Sequence, residues 1–391
     1  MTDSLSVVGL ARRQLILALA APSLARAQGG AGRTLTVGDG EHWRTLGDAV
    51  RAADSGDTIE LQAGDYFGDV AVVRQPLLTI RGLGAGARLH ADGRSAQGKA
   101  ILVAHGQSLI VENLEFRGTR VPAGNGAGIR FERGRLEVRR CRFFDNEMGL
   151  LAANDPGLEL TVQDCEFGEA PHHEGLLHHL LYVGAIGRFT LTGSRFGQGW
   201  RGHLVKTRAL HNRILYNRLD DGLTGEASYE LEFPNGGHNL VVGNLIVQSS
   251  RSQNPAILSM GAEARDGMAG SLVLAHNTFV NHGGSEDRFV HLWADRLLGV
   301  TPVRMANNLF VGPGELDLPA DADSGGNHRI GPQALRDAQD GDYRLMPGSA
   351  LTGSAVPLPV QETPQAEFAA PAGTRPLPPG LPLSPGALQL Q

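Results

Sequence analysis

Leu109-Ile110-Val111-Glu112-Asn113-Leu114-Glu115-Phe116 is the first copy of a recurring pattern: alternating apolar residues, a small or amide residue, one spacer, then Phe or an aliphatic. The same grammar returns at Leu136 to Phe143, Leu160 to Phe167 and Phe189 to Phe196, and further copies end at Leu219, Ile246, Phe279 and Phe310. Successive ends lie 27, 24, 29, 23, 27, 33 and 31 residues apart, about 28 on average. A period of that length is one coil of a solenoid. Alternation over four to eight residues predicts strands rather than helices, and so short a unit buries its apolar face only by stacking on a neighbour.

Two residues before each end stand Leu114, Cys141, Cys165, Ser194, Asn217, Asn244, Asn277 and Asn308. Stacked ~4.8 Å apart, the asparagines form a buried amide ladder in which no polar group is orphaned. Cys141 and Cys165 fall on adjacent coils, within Cα reach of a disulfide, but their parallel Cβ vectors favour two buried thiols. A second strand follows each turn, at Gly128 to Phe131, Gly149 to Ala152, His179 to Val183, Gly202 to Thr207, Tyr229 to Phe233, Ile257 to Gly261 and Phe289 to Trp293. Leu46 to Ala53 is apolar at helical spacing and predicts a helix over the open end of the solenoid, where it shields unpaired strand edges. Asp342-Tyr343-Arg344-Leu345 with Pro347-Gly348-Ser349 predicts a last coil, and residues 353–391 are a proline-rich extended tail, lying along the body or disordered.

Composition agrees. The chain has 391 residues, and its 53 glycines against 21 aromatics suit regularly spaced turns better than a large aromatic core. The length alone would allow two or three domains, a prior that one elongated repeat overrides. A formal charge of −6 without a basic block disfavours nucleic acid as partner. Residues 1–27 read as a signal peptide: Arg12-Arg13, an apolar run from Leu15 to Leu24, then Ala25-Arg26-Ala27, with a twin-arginine flavour. Cleavage before Gln28 would remove three arginines and Asp3, leave a charge of −8, and place the protein in the periplasm or outside the cell. No other segment is long and apolar enough to span a bilayer.

The capping segment Leu46 to Tyr66 with its Gly-Asp-Thr-Ile and Ala-Gly-Asp-Tyr turns, the asparagine ladder and the closing Asp-Tyr-Arg-Leu resemble the pectate-lyase-like superfamily. The resemblance covers residues 33–352 and implies an all-β fold, a single right-handed parallel β-helix with an N-terminal capping helix. It also implies a carbohydrate-active protein, though the superfamily spans lyases, epimerases, hydrolases and binding modules. Neither the Asp-Pro-His-Asp motif of mannuronan epimerases nor the aspartate cluster of polygalacturonases occurs.

Polar residues that a structural solenoid does not need concentrate between His172 and Glu263. Strand parity sends Tyr182, Lys206, Arg208, Glu230 and Glu232 outward, with His179, Leu181 and Val183 inward and Tyr229, Leu231 and Phe233 inward. Lys206 is one of only two lysines against 33 arginines, and a lysine amine can lose its proton where a guanidinium cannot. β-Elimination on a uronic-acid polymer then casts Lys206 as base, Tyr182 or His203 as acid and Arg208 as neutraliser of the substrate carboxylate. Chondroitinase-B-type lyases, which the chain resembles in the residue types Lys206-Thr207-Arg208, imply a possible Ca²⁺ on Glu230, Glu232 or Asn235. His179, Glu230, Glu232, Asn235, His238, Arg251, Asn254 and Glu263 are substrate-binding candidates. His172-His173-Glu174 with His178-His179 is a weak zinc signal. The alternatives are a noncatalytic glycan-binding or scaffold protein and a glycosidase using Glu230 and Glu232. The expected partner is an acidic polysaccharide, and the expected state a monomer or small homo-oligomer.

Overall fold

The computed structural model describes residues 32–390 apart from 266, 267, 269, 298–301 and 323. The expected signal peptide lies outside the described residues. From Gly32 onward the chain winds into a right-handed parallel β-helix of about ten coils, each placing one strand in each of three parallel sheets. Sheet A holds eleven strands from Thr34–Val37 to Val303–Ala306, sheet B eleven from Gly64–Phe67 to His328–Ile330, and sheet C ten from Ala71–Val73 to Glu315–Asp317. The chain visits them in the order C, A, B, and the alternating burial of strands such as Leu77–Gly82 and Arg188–Thr192 shows why. Every second residue enters the core, and the one between faces solvent.

The helix forms at Leu46–Ala52, with Thr45 accepting from the Asp48 amide at 3.1 Å as its cap. Asp69 accepts from the amides of Leu46 and Gly47, so the helix is tied to the second coil while Leu46, Ala49 and Val50 seal the core. Inside, the end residues of the repeat stack coil on coil. The rings of Phe116, Phe143, Phe167 and Phe196 follow one another at centroid distances of 5.2, 4.6 and 4.6 Å.

The ladder stands where the repeat places it. Asn217, Asn244 and Asn277 each donate their backbone N–H to the side-chain oxygen of the asparagine on the next coil, at 2.9 Å, and Asn308 does the same to Asn327. Asn327 extends the ladder one coil past the last repeat found in the sequence. In the other direction Ser194 and then Cys165 continue it, and both cysteines are free, buried thiols. Residues 353–390 run along the ridge of turns beside this ladder. Val356 exchanges backbone bonds with the Asn307 side chain, His276 Nδ1 meets the Ser384 carbonyl at 3.0 Å, and Tyr216 Oη accepts from the Gln365 amide. No helix among the described residues is long and apolar enough to cross a membrane.

Candidate functional site

Register pairs Tyr182 with Lys206 and Lys206 with Glu232, so the three side chains form one outward column on sheet C. Strand parity holds for these residues. It fails one step earlier, where each strand of sheet C opens with two successive inward residues: Leu180 and Leu181, Leu204 and Val205, Ile257 and Leu258, Phe289 and Val290 all lie in the core. A Cβ on Gly149, the equivalent of Leu180 one coil earlier, would meet the Phe167 ring. Glu230 occupies this extra inward position. It is fully buried, neither carboxyl oxygen has a hydrogen-bond partner, and burial followed by the nearby Asp221 pushes its pKa well up. The expectation that Glu230 and Glu232 share the outer face is therefore corrected, and with it the glycosidase reading built on that pair.

The same irregularity reverses His179 and Tyr229, expected inward. They line up with His203 on the outer side, with ring centroids 4.6 Å apart for His179 and His203 and 5.1 Å for His203 and Tyr229. The His203 amide donates to His179 Nδ1 at 2.9 Å, which leaves the proton of neutral His179 on Nε2. Burial, then His203, Lys206 and Arg208, push the His179 pKa well below the ordinary histidine value.

Around Lys206 the charges close into a network. Nζ lies 3.1 Å from Glu232 Oε2 and 2.8 Å from Glu263 Oε1, and Glu263 also bonds Arg208, whose other terminal nitrogen donates to the Tyr182 hydroxyl. His203 Nδ1 sits 3.1 Å from the same Glu232 oxygen as Lys206, within ion-pair range though off the hydrogen-bond axis. Burial lowers the His203 pKa against the opposing pull of Glu232. Burial alone would raise both carboxyls, but His203 and Lys206 hold Glu232 below its ordinary value, and Lys206 and Arg208 bring Glu263 down to about 2. Glu232 is almost completely buried, whereas the Glu263 side chain is 46% exposed. The network therefore has a rigid inner half and an open outer carboxylate.

Of the candidate residues, Tyr182, His179, His203, Lys206, Arg208, Glu232 and Glu263 come together. Asn235 flanks them, lining with Arg208 a hollow of about 390 Å³ at the corner beyond sheet C. The others lie elsewhere. His238 faces outward from sheet A, stacked on His211. Arg251 borders a separate hollow of about 310 Å³ with Trp200 and Asp221, and Asn254 is bonded to Ser228 and Gln248 within the turn that enters sheet C. Glu230, Glu232 and Asn235 do not converge as ligands for Ca²⁺: the first faces the core and the second is engaged by Lys206 and His203. Among the described residues no group of three or more His, Cys, Asp or Glu side chains is placed to hold a metal ion.

Tyr229 is a neighbour of the site that strict alternation does not reveal, but the sequence carries a signal for it. Apolar doublets at 180–181, 204–205, 257–258 and 289–290 recur at one place in the coil, marking two inward positions in succession.

No protein-family model and no curated protein matches the chain. Among solved structures it is similar to the crystal structure of pectate lyase Pel9A, with a TM-score of 0.51 and 11% sequence identity over 93% of this chain and 97% of that one. With sheets, ladder and capping helix in place, that likeness establishes the backbone architecture: the chain has the pectate-lyase-like right-handed parallel β-helix fold.

Proposed function

We propose that this protein is an exported polysaccharide lyase that cleaves a uronic-acid polymer on the outer face of sheet C. The observation that carries the reading is the carboxylate of Glu263 held between Lys206 and Arg208, because a uronate carboxylate has the same charge and shape. Held there, the substrate carboxylate is neutralised, which stabilises the negative charge that develops when the neighbouring C5 proton is removed.

The casting of the bases shifts with the geometry. Lys206 stands between two carboxylates and acts as a cation. His203, kept neutral by burial and with Nδ1 3.1 Å from the Glu232 carboxylate, is the proton acceptor. The pair of electrons left at C5 forms the C4–C5 double bond, the C4–O glycosidic bond breaks, and the leaving oxygen takes a proton from Tyr182. Glu263 must swing aside for substrate to enter.

The test incubates the protein with acidic and neutral polysaccharides while following the ultraviolet absorbance of unsaturated uronate and the reducing ends together. Rising absorbance with reducing ends supports elimination. Reducing ends alone support hydrolysis, and binding without either supports a noncatalytic glycan-binding protein. Export is tested separately, by N-terminal sequencing of the protein from the periplasm or medium, where Gln28 is the expected first residue.

A further inference from the structure

We infer that the outer face of sheet A carries a second, noncatalytic anchoring site for an acidic polysaccharide. It is centred on Arg188, Arg213, His211 and His238, and it stands independently of the lyase reading. Elsewhere on this face arginines are matched by carboxylates: Arg81 pairs with Glu60, Arg135 with Glu159 at 2.6 Å, and Arg304 with Glu362. In the coils from Arg188 to Ser271 that matching stops. No acidic residue lines the groove of about 420 Å³ that these coils form. Arg213 is exposed without an ion pair among the described residues, although Arg304 in the same outward column is neutralised. The carboxylate beside Arg188 is Glu159, 3.9 Å away and already bonded to Arg135.

The arrangement is periodic. Register places Arg188, His211, His238 and Ser271 in one column. A linear chain lying along the solenoid axis therefore meets one of them every ~4.8 Å. His211 and His238 are exposed and stacked, with centroids 5.2 Å apart and an interplanar angle of 18°, and His238 Nδ1 is 3.1 Å from Ser271 Oγ. Ring nitrogens of the stacked imidazoles can bond sugar hydroxyls beside Leu240, and guanidinium groups take carboxylates in bidentate fashion. A nucleic acid suits the groove less well, since among the described residues no exposed Phe, Tyr or Trp lines it on which bases could stack. A carboxylate-bearing glycan matches both the spacing and the mixed polar and apolar lining.

Binding of the whole protein to polygalacturonate, alginate and hyaluronate, measured by affinity electrophoresis at low and high salt, tests this. Arg188→Ser with Arg213→Ser should weaken binding of at least one polymer by ~10-fold or more and flatten its salt dependence. Lys206→Ala with Arg208→Ala should leave most of that low-salt binding in place even if it abolishes cleavage. Both arginines on sheet A are exposed, and an unchanged melting curve verifies the fold of that variant. The inference is overturned if the sheet A variant binds all three polymers like the parent, or if the parent binds none. It is equally overturned if single-stranded DNA or polyglutamate binds the parent as tightly as the polyuronates do.

Discussion

At the scale of single residues, the outer carboxylate and the buried one make opposite demands. Glu263 screens the two cations that the lyase reading assigns to substrate, so Glu263→Gln removes a competitor while keeping size. Affinity for an acidic polymer should rise, seen as a lower KM or Kd, by about tenfold if one charge-assisted contact is released. A fall in kcat with unchanged KM would show instead that Glu263 positions Lys206 and Arg208. His203→Gln should lower kcat by ~10²–10⁴, while Lys206→Arg, which keeps the cation, should retain most of it. An equal collapse in Lys206→Arg would return the base to the lysine.

Glu230 is testable without substrate. Its folded pKa is raised, so the folded state holds a proton that the unfolded chain releases near the ordinary value of ~4.3. The stability it contributes is present below that value and is lost as pH rises toward the folded pKa. Urea midpoints of the parent should decline with rising pH over this window, and Glu230→Gln should flatten the decline. Identical pH profiles for the two proteins would mean that Glu230 is not held neutral.

At the scale of elements, the ladder and the sheets carry different kinds of specificity. Asn277 accepts from the Asn244 backbone and side chain and donates to the Val241 carbonyl and to Asn308. Asn277→Leu strands those partners in a dry core, at ~1–3 kcal/mol. Chemical denaturation should show that loss, and an unchanged midpoint would refute the ladder as a stabilising device. The ladder is readable because an asparagine recurs at one position in four successive coils, at Asn217, Asn244, Asn277 and Asn308. The sheet C strands were readable as strands, but their first residues were not. Strict alternation, extended back from Val183 or Phe233, inverts wherever two neighbours both turn inward. That one offset misplaced His179, Tyr229 and Glu230 together while leaving Tyr182, Lys206 and Glu232 correct.

At the scale of the whole molecule, the tail turns a stack of coils into a strapped one. Glu367 is fully buried, pairs with Arg375 and accepts from the amides of Gln389 and Leu390, so the tail has internal order of its own. Its bonds to Asn307, His276 and Tyr216 reach across coils that are far apart in sequence. A chain ending at Thr352 should still fold but melt lower by at least ~1 °C, the shift expected for the loss of about 1 kcal/mol in a domain of this size. An unchanged melting midpoint would make the tail an ornament rather than a strap.

The solenoid, its period, the amide ladder and the capping helix were determined by sequence alone, because each depends on local alternation or on a residue type repeated at a fixed interval. The Tyr182, Lys206 and Glu232 column followed from the same periodicity. What only the tertiary structure decided is everything that periodicity does not encode. Glu263 reaches Lys206 from 57 residues away through an irregular loop. His238 leaves the expected groove because the turn before it carries the chain onto another sheet. The tail binds a ridge whose turns share no motif with it. Each of these rests on contacts between segments with independent local patterns, and such contacts become visible only once the coils are stacked in register.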